Sequence, residues 1–159
     1  MCNECPPGKA HVDGSPGAAS ETACEKCNAT TYQDESGKVS CKDCGSTGTS
    51  TAGATVCQEC VAGKYMASNK TCVACAAGRV SVFGASSCTD CVAGEYANSD
   101  QTACDPCAAG RYSNQTLQTS AGTCVECPGG RYSAASGAGS LALCNECPPG
   151  KAHVDGSPG

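Results

Sequence analysis

The residues of this chain whose type and spacing could do chemistry are its 18 cysteines. They fall into nine Cys-x-x-Cys pairs that begin at Cys2, Cys24, Cys41, Cys57, Cys72, Cys88, Cys104, Cys124 and Cys144, and none stands alone. Thiols so spaced cross-link, bind zinc, or exchange electrons. Two Cys-x-x-Cys pairs about a dozen residues apart have the spacing of a zinc ribbon. Nine uninterrupted pairs with no core for a ribbon to dock on argue against zinc, and no metal site is expected. Thioredoxin-like chemistry needs one reactive pair at a helix start, and here all the pairs are equivalent. Structural disulfides remain, and they imply an oxidising compartment, so a secreted, extracellular or cell-surface chain.

Nothing else offers catalytic groups. There is no Gly-x-Ser-x-Gly, no phosphate loop and no pair of carboxylates on an ordered element, so no catalytic residue is expected and the chain does not read as an enzyme. His11 and His153 are one repeat position seen twice, read as a solvent-facing turn residue. The net charge of -5 is scattered and forms no basic stripe, which makes nucleic acid and anionic lipid poor partners. Met1 is followed by Cys2 with no apolar signal segment, and no apolar run is long enough to span a membrane. The chain therefore reads as a mature piece or an excerpt. Three sequons, Asn28-Ala-Thr30, Asn69-Lys-Thr71 and Asn114-Gln-Thr116, lie in loops and predict N-linked glycans in a eukaryotic source. No other cofactor is expected.

The elements that must position these cysteines follow one rule. A module runs from the second cysteine of a pair to the first of the next, giving loops of 18, 13, 12, 11, 12, 12, 16 and 16 residues. The third residue after the opening cysteine is Gly8, Thr30, Thr47, Gly63, Gly78, Gly94, Gly110 or Gly130, and the fifth is Ala10, Tyr32, Thr49, Tyr65, Val80, Tyr96, Tyr112 or Tyr132. The five tyrosines are the only ones in the chain, so the repeat places them. In modules with almost no other large side chain, they are read as packing residues against a disulfide and the neighbouring module. Glycine permits positive φ, the tyrosine begins an extended segment, and polar turn residues bring the chain back: a small irregular hairpin. No stretch has helical periodicity, and Ser140–Leu143 is too short for a helix.

Burial alone cannot order such a chain. Ten Val, three Leu, one Phe and no Ile or Trp make 14 residues of 159, far below the rough 20% typical of globular composition. Cross-links are the remedy, each closed loop removing roughly 3 kcal/mol of unfolded-state entropy in the chain-entropy view. The fold class expected is a small disulfide-rich repeat array, an elongated rod of short hairpins with almost no helix. The stretches 13–20, 45–55 and 133–140, rich in Gly, Ala, Ser, Thr and Pro, read as flexible solvated loops.

A second, longer period is visible. Residues 2–17, CNECPPGKAHVDGSPG, recur unchanged at 144–159, a displacement of 142 residues. The modules between share little beyond their motif positions, so the chain reads as one unit of eight modules, 1–143, followed by the start of the next, 144–159. Pairing is not fixed by spacing. One arrangement joins Cys5–Cys24, Cys27–Cys41, Cys44–Cys57, Cys60–Cys72, Cys75–Cys88, Cys91–Cys104, Cys107–Cys124 and Cys127–Cys144, leaving Cys2 and Cys147 to reach the preceding and following units. It is favoured for that reason. The other crosses alternate cysteines within a double module.

The modules CVAGKYMASNKTC, CVAGEYANSDQTAC, CAAGRYSNQTLQTSAGTC and CPGGRYSAASGAGSLALC resemble growth-factor-receptor-type cysteine-rich repeats, especially ephrin-receptor-like modules, and the single-disulfide submodule of tumour-necrosis-factor receptors. Protist surface proteins use comparable arrays. The likeness is good over Cys57–Cys147 and looser before it, where Ala10, Thr30, Thr47 and Thr49 depart from Cys-x-x-Gly-x-Tyr. The resemblance implies an extended ladder with the serial pairing, and it speaks for architecture more than activity. The function expected is a structural segment of a glycosylated extracellular fibre or surface filament whose partners are copies of itself or flanking repeats. The alternative is a cysteine-rich ectodomain or stalk of a surface receptor or antigen that binds a protein ligand.

Overall fold

A computed structural model describes residues 4–11 and 24–151. Among these residues there is no α-helix. The chain forms eight two-stranded antiparallel hairpins, one per module. They pair β1 (Lys9–His11) with β2 (Cys24–Lys26), β3 (Thr31–Tyr32) with β4 (Lys42–Asp43), β5 (Gly48–Thr49) with β6 (Gln58–Glu59), and β7 (Lys64–Met66) with β8 (Cys72–Ala74). The series continues with β9 (Arg79–Val80) and β10 (Thr89–Asp90), β11 (Glu95–Ala97) and β12 (Cys104–Pro106), β13 (Arg111–Tyr112) and β14 (Val125–Glu126), and β15 (Arg131–Tyr132) and β16 (Asn145–Glu146). Single 3-10 turns at Ala121–Thr123 and Leu141–Leu143 precede the closing cysteines of the last two modules. This is a disulfide-rich repeat array. The chain divides into two compact units, one of Met1–Val61, Tyr65–Val73 and Phe83–Ser87, the other of Ala62–Lys64, Ala74–Val82 and Cys88–Gly159.

Each hairpin is entered through a tight turn. The Lys9 N–H donates to Pro6 O at 3.1 Å, and Arg79, Glu95, Arg111 and Arg131 donate in the same way to Ala76, Val92, Ala108 and Pro128. The third residue of such a turn needs positive φ, which glycine adopts without strain. Gly94 has φ +88° there, and Thr30, which stands in the glycine's place in module two, is held at +72°. Cross-strand pairs then hold the register at the base of several hairpins: Arg79 to Asp90 at 2.8 Å and Arg111 to Glu126 at 2.7 Å. Both pairs are solvent-exposed, so they select register more than they stabilise.

Short hairpins are marginal alone, and here six of the seven junctions are bonded through backbone groups. Where modules six and seven meet, Gly94 N donates to Ser113 O at 2.8 Å, Ala97 N to Gln118 O at 2.8 Å, and Leu117 N back to Cys91 O at 2.9 Å. The same three bonds recur as Gly8 to Gln33, His11 to Lys38 and Gly37 to Cys5, as Thr30 to Ser50, Gln33 to Ala54 and Gly53 to Cys27, and again at 63–84 and 110–138. The donor that reaches back to the opening cysteine sits at a left-handed turn, either a glycine such as Gly137 (φ +79°) or Leu117 (φ +59°). Gln101 has the same conformation, but its side chain makes the bond, Nε2 to Cys75 O at 3.0 Å.

The stretches 45–55 and 133–140 are only partly solvated. Gly48, Ser50, Ser133 and Ala138 are buried. Gly48 strands against Glu59, and Ala138 pairs with Tyr112 of the preceding module. Small residues are used here because adjacent backbones approach closely, which a bulkier chain would prevent. The stretch 13–20 lies outside the described residues.

Candidate functional site

The eight disulfides run serially: Cys5–Cys24, Cys27–Cys41, Cys44–Cys57, Cys60–Cys72, Cys75–Cys88, Cys91–Cys104, Cys107–Cys124 and Cys127–Cys144. Their Cα separations of 5.5 to 5.8 Å lie in the unstrained range. Cys5, Cys27, Cys60, Cys91 and Cys107 are fully buried, so in most modules the opening cysteine lies in the core, Cys44 being the half-buried exception. Cys147 is half-buried and unpaired among the described residues. Cys2 lies outside them.

The side chain that the fold buries in each module is the residue after the tyrosine position. Sixth after the opening cysteine stand His11, Gln33, Ser50, Met66, Ser81, Ala97, Ser113 and Ser133, and all eight are buried. Strand alternation explains this, since successive side chains point to opposite faces. Tyr32, Tyr65, Tyr96, Tyr112 and Tyr132 are only half-buried. Ala97, by contrast, packs with Val80 against the Cys91–Cys104 bridge. Sequence reasoning missed the sixth position because half its occupants are serine. Their hydroxyls are satisfied internally: Ser50 Oγ donates to Thr31 O at 2.7 Å and Ser81 Oγ to Lys64 O at 2.9 Å, each reaching into the preceding module. Gln33 is held on both ends, donating to Ser40 O at 2.7 Å and accepting from Glu35 N at 3.1 Å. The residues after the five tyrosines, Gln33, Met66, Ala97, Ser113 and Ser133, share no type, so the sequence carried no signal for this position.

His11 is one of these residues, not a solvent-facing turn residue. It ends strand β1 at 4% exposure, because the strand alternation turns it onto its own module's disulfide. Its Nδ1 has no hydrogen-bond partner among the described residues, and an imidazole nitrogen lies within 4.8 Å of the sulfurs of Cys5 and Cys24. Those sulfurs are bonded to each other, so this cluster has no thiolate to give a metal. His153 lies outside the described residues.

The sequon asparagines Asn28, Asn69 and Asn114 are all exposed. At Asn69 the side-chain oxygen accepts from the Thr71 hydroxyl at 2.7 Å. The strongest local electrostatics lie in module two. Lys42 Nζ meets Asp34 at 2.6 Å and Glu35 at 3.0 Å, while Lys38 holds Glu35 at 2.7 Å. The hydrogen bond from Lys42 lowers Asp34, and those from Lys38 and Lys42 lower Glu35, below the usual carboxylate values. Lys42 is raised in turn, first by Asp34 and then by Glu35. The shallow hollow beside this cluster, lined by Tyr32, Asp34, Asp43 and Val56, gathers no nucleophile with a base. Among the described residues no helix is long and apolar enough to cross a membrane.

Serial single-disulfide hairpins with Gly-x-Tyr entries are the pattern on which a comparison with known families turns. Residues 94–144 match the family described as tyrosine-protein kinase ephrin type A/B receptor-like. The matched segment lies in modules six to eight; outside it the tyrosine recurs only at Tyr32 and Tyr65, while the closing bridge recurs throughout. No curated protein matches the chain. The family is a receptor-like cysteine-rich module and not an enzyme class. Ephrin-receptor-like modules with this density of cross-links form cysteine-rich extracellular domains.

Proposed function

We propose that this chain is a length of shaft in a glycosylated extracellular fibre or surface filament, built from tandem units of 142 residues and joined to copies of itself or to flanking repeats. The observation that carries the proposal is the three-bond junction. Gly94, Ala97 and Leu117 use the backbone groups that Gly8, His11 and Gly37 use at the first junction, and five of the seven junctions between described modules repeat the set. An array of that kind extends by repetition and needs no continuous core. The recurrence of 2–17 at 144–159 supplies the longer unit, and Cys147 carries a thiol available to the unit beyond. In this reading Cys2 and Cys147 are the inter-unit cysteines, Asn28, Asn69 and Asn114 carry N-linked glycans, and neither zinc nor a catalytic group takes part.

The receptor-like match over 94–144 favours a second reading, a cysteine-rich ectodomain or stalk that binds a protein ligand. Electron microscopy of the native material, beside peptide mapping without reduction, separates the two. Continuous filaments with linkages running through Cys2 and Cys147 are the expected result. Discrete short particles in which Cys2 and Cys147 pair within one chain would overturn the fibre. Glycosidase treatment of material from a eukaryotic host should lower the mass at each sequon peptide, and an unchanged mass would refute the glycan assignment.

A further inference from the structure

The sixth position of every described module is buried, and seven of its occupants, Gln33, Ser50, Met66, Ser81, Ala97, Ser113 and Ser133, cannot carry a proton at neutral pH. His11 is the exception, and its imidazole lies beside the Cys5–Cys24 bridge at 4% exposure, with Nδ1 unpartnered among the described residues. A buried imidazole nitrogen without a partner costs free energy that a folded chain normally avoids. Its placement against one particular bond points to that bond's chemistry.

We propose that Cys5, His11 and Cys24 form a thiol–disulfide exchange site whose substrate is an incoming thiol. The two sulfurs are unequal. Cys5 is 0% exposed, whereas Cys24 is half-exposed, so an incoming thiolate reaches Cys24 Sγ. The new bond forms between the incoming sulfur and Cys24, the Cys5–Cys24 bond breaks, and its electron pair leaves on Cys5 Sγ. A bare thiolate in that buried place is disfavoured, which makes Cys5 a poor leaving group unless it is protonated. His11 takes up the proton that the incoming thiol releases on ionising and hands it to Cys5 Sγ. One thiol is consumed and one produced, with no net change in charge or oxidation state. The proposal stands apart from the fibre reading, since it concerns the first module alone.

The test uses the whole oxidised chain with reduced glutathione as the thiol, quenched by alkylation at short times and mapped by peptide. The variants His11→Ser and His11→Gln carry residues that already occupy the equivalent position in other modules, so both preserve a buried side chain that the fold accepts. In the unaltered chain Cys5–Cys24 should open before the other seven bridges, with glutathione on Cys24 and the alkyl group on Cys5. In both variants its rate, relative to those seven in the same molecule, should fall about a hundredfold, the low end for loss of a positioned proton donor. A merely structural histidine predicts the opposite sign, because loosening the module exposes the bond. The proposal is overturned if another bridge opens first, if glutathione is found on Cys5, or if the relative rate in the variants is unchanged or raised.

Discussion

Gly94→Ala, compared with Gly130→Ala, isolates the contact between a module and the one two places further on. Both glycines stand at the third position of a module with positive φ, +88° and +78°. Forcing alanine there costs about 1–2 kcal/mol in either case. They differ in what the added methyl meets. At Gly130 it has open space within 4 Å, whereas at Gly94 it would press on Gly137 O and lie 2.8 Å from Gly137 C and 2.9 Å from Gly139 N. All of those are backbone atoms, which cannot rotate away. Relief means withdrawing the Gly137 turn, and with it the bonds from Gly137 N to Cys107 O at 2.8 Å and Ser113 N to Ala138 O at 3.0 Å. At roughly 1 kcal/mol each, the loss beyond the strain common to both variants is about 2 kcal/mol. That corresponds to a fall of about 30-fold in hydrogen-exchange protection. Exchange measured with the disulfides intact reads it directly, since local opening is resolved amide by amide. The amides of Ser113 and Gly137 should lose protection in Gly94→Ala and keep it in Gly130→Ala. Equal protection in the two variants would refute the close approach of alternate modules.

Three further perturbations test separate parts of the fold. Thr30→Gly removes strain at φ +72° while keeping the backbone bonds of Thr30 to Ser50 and Cys44, and should raise the thermal midpoint by the equivalent of up to about 1 kcal/mol after glycine's own entropy is counted; a lower midpoint would contradict this. Tyr96→Ala should lower stability by about 1–2 kcal/mol, less than a core aromatic because the ring is half-buried, and unchanged melting would count against a packing role. Lys42→Met should move the Asp34 titration up toward its ordinary value in a carboxyl NMR experiment. Because the native carboxyl is lowered, its contribution to stability is present above the unfolded value near 4 and is lost as the pH falls through the native value, so the native 34–42 loop should loosen only in acid. A midpoint that does not move would refute the role of Lys42.

The architecture was legible because the repeat is written in residues with few uses. Paired cysteines, a glycine and a tyrosine at constant offsets specify a cross-linked hairpin, and the scarcity of Val, Leu, Phe and Ile leaves no other way to order the chain. The absence of helical periodicity likewise predicted a structure of strands and turns, and only two 3-10 turns interrupt it among the described residues. The ephrin-receptor-like resemblance was read from the same offsets, and the family match falls where they are cleanest.

Tertiary structure decided what the offsets could not carry. Sequence pattern placed the packing at the tyrosines, but the fold buries their neighbours at the sixth position, and in six of the eight modules the next module seals that residue with a backbone bond. Ser81 and Ser133 look like solvent residues in the sequence and become core once a carbonyl takes the hydroxyl proton. Low-complexity stretches such as 133–140 look disordered until a neighbouring backbone, Tyr112 against Ala138, gives small residues a reason to be small. His11 is the sharpest case: a polar side chain near the chain's start becomes a buried imidazole on a disulfide only when strand β1 pairs with β2. Cross-linking is a property of residue type and spacing, and so belongs to the sequence. Burial is a property of which modules meet, and that is settled only in three dimensions.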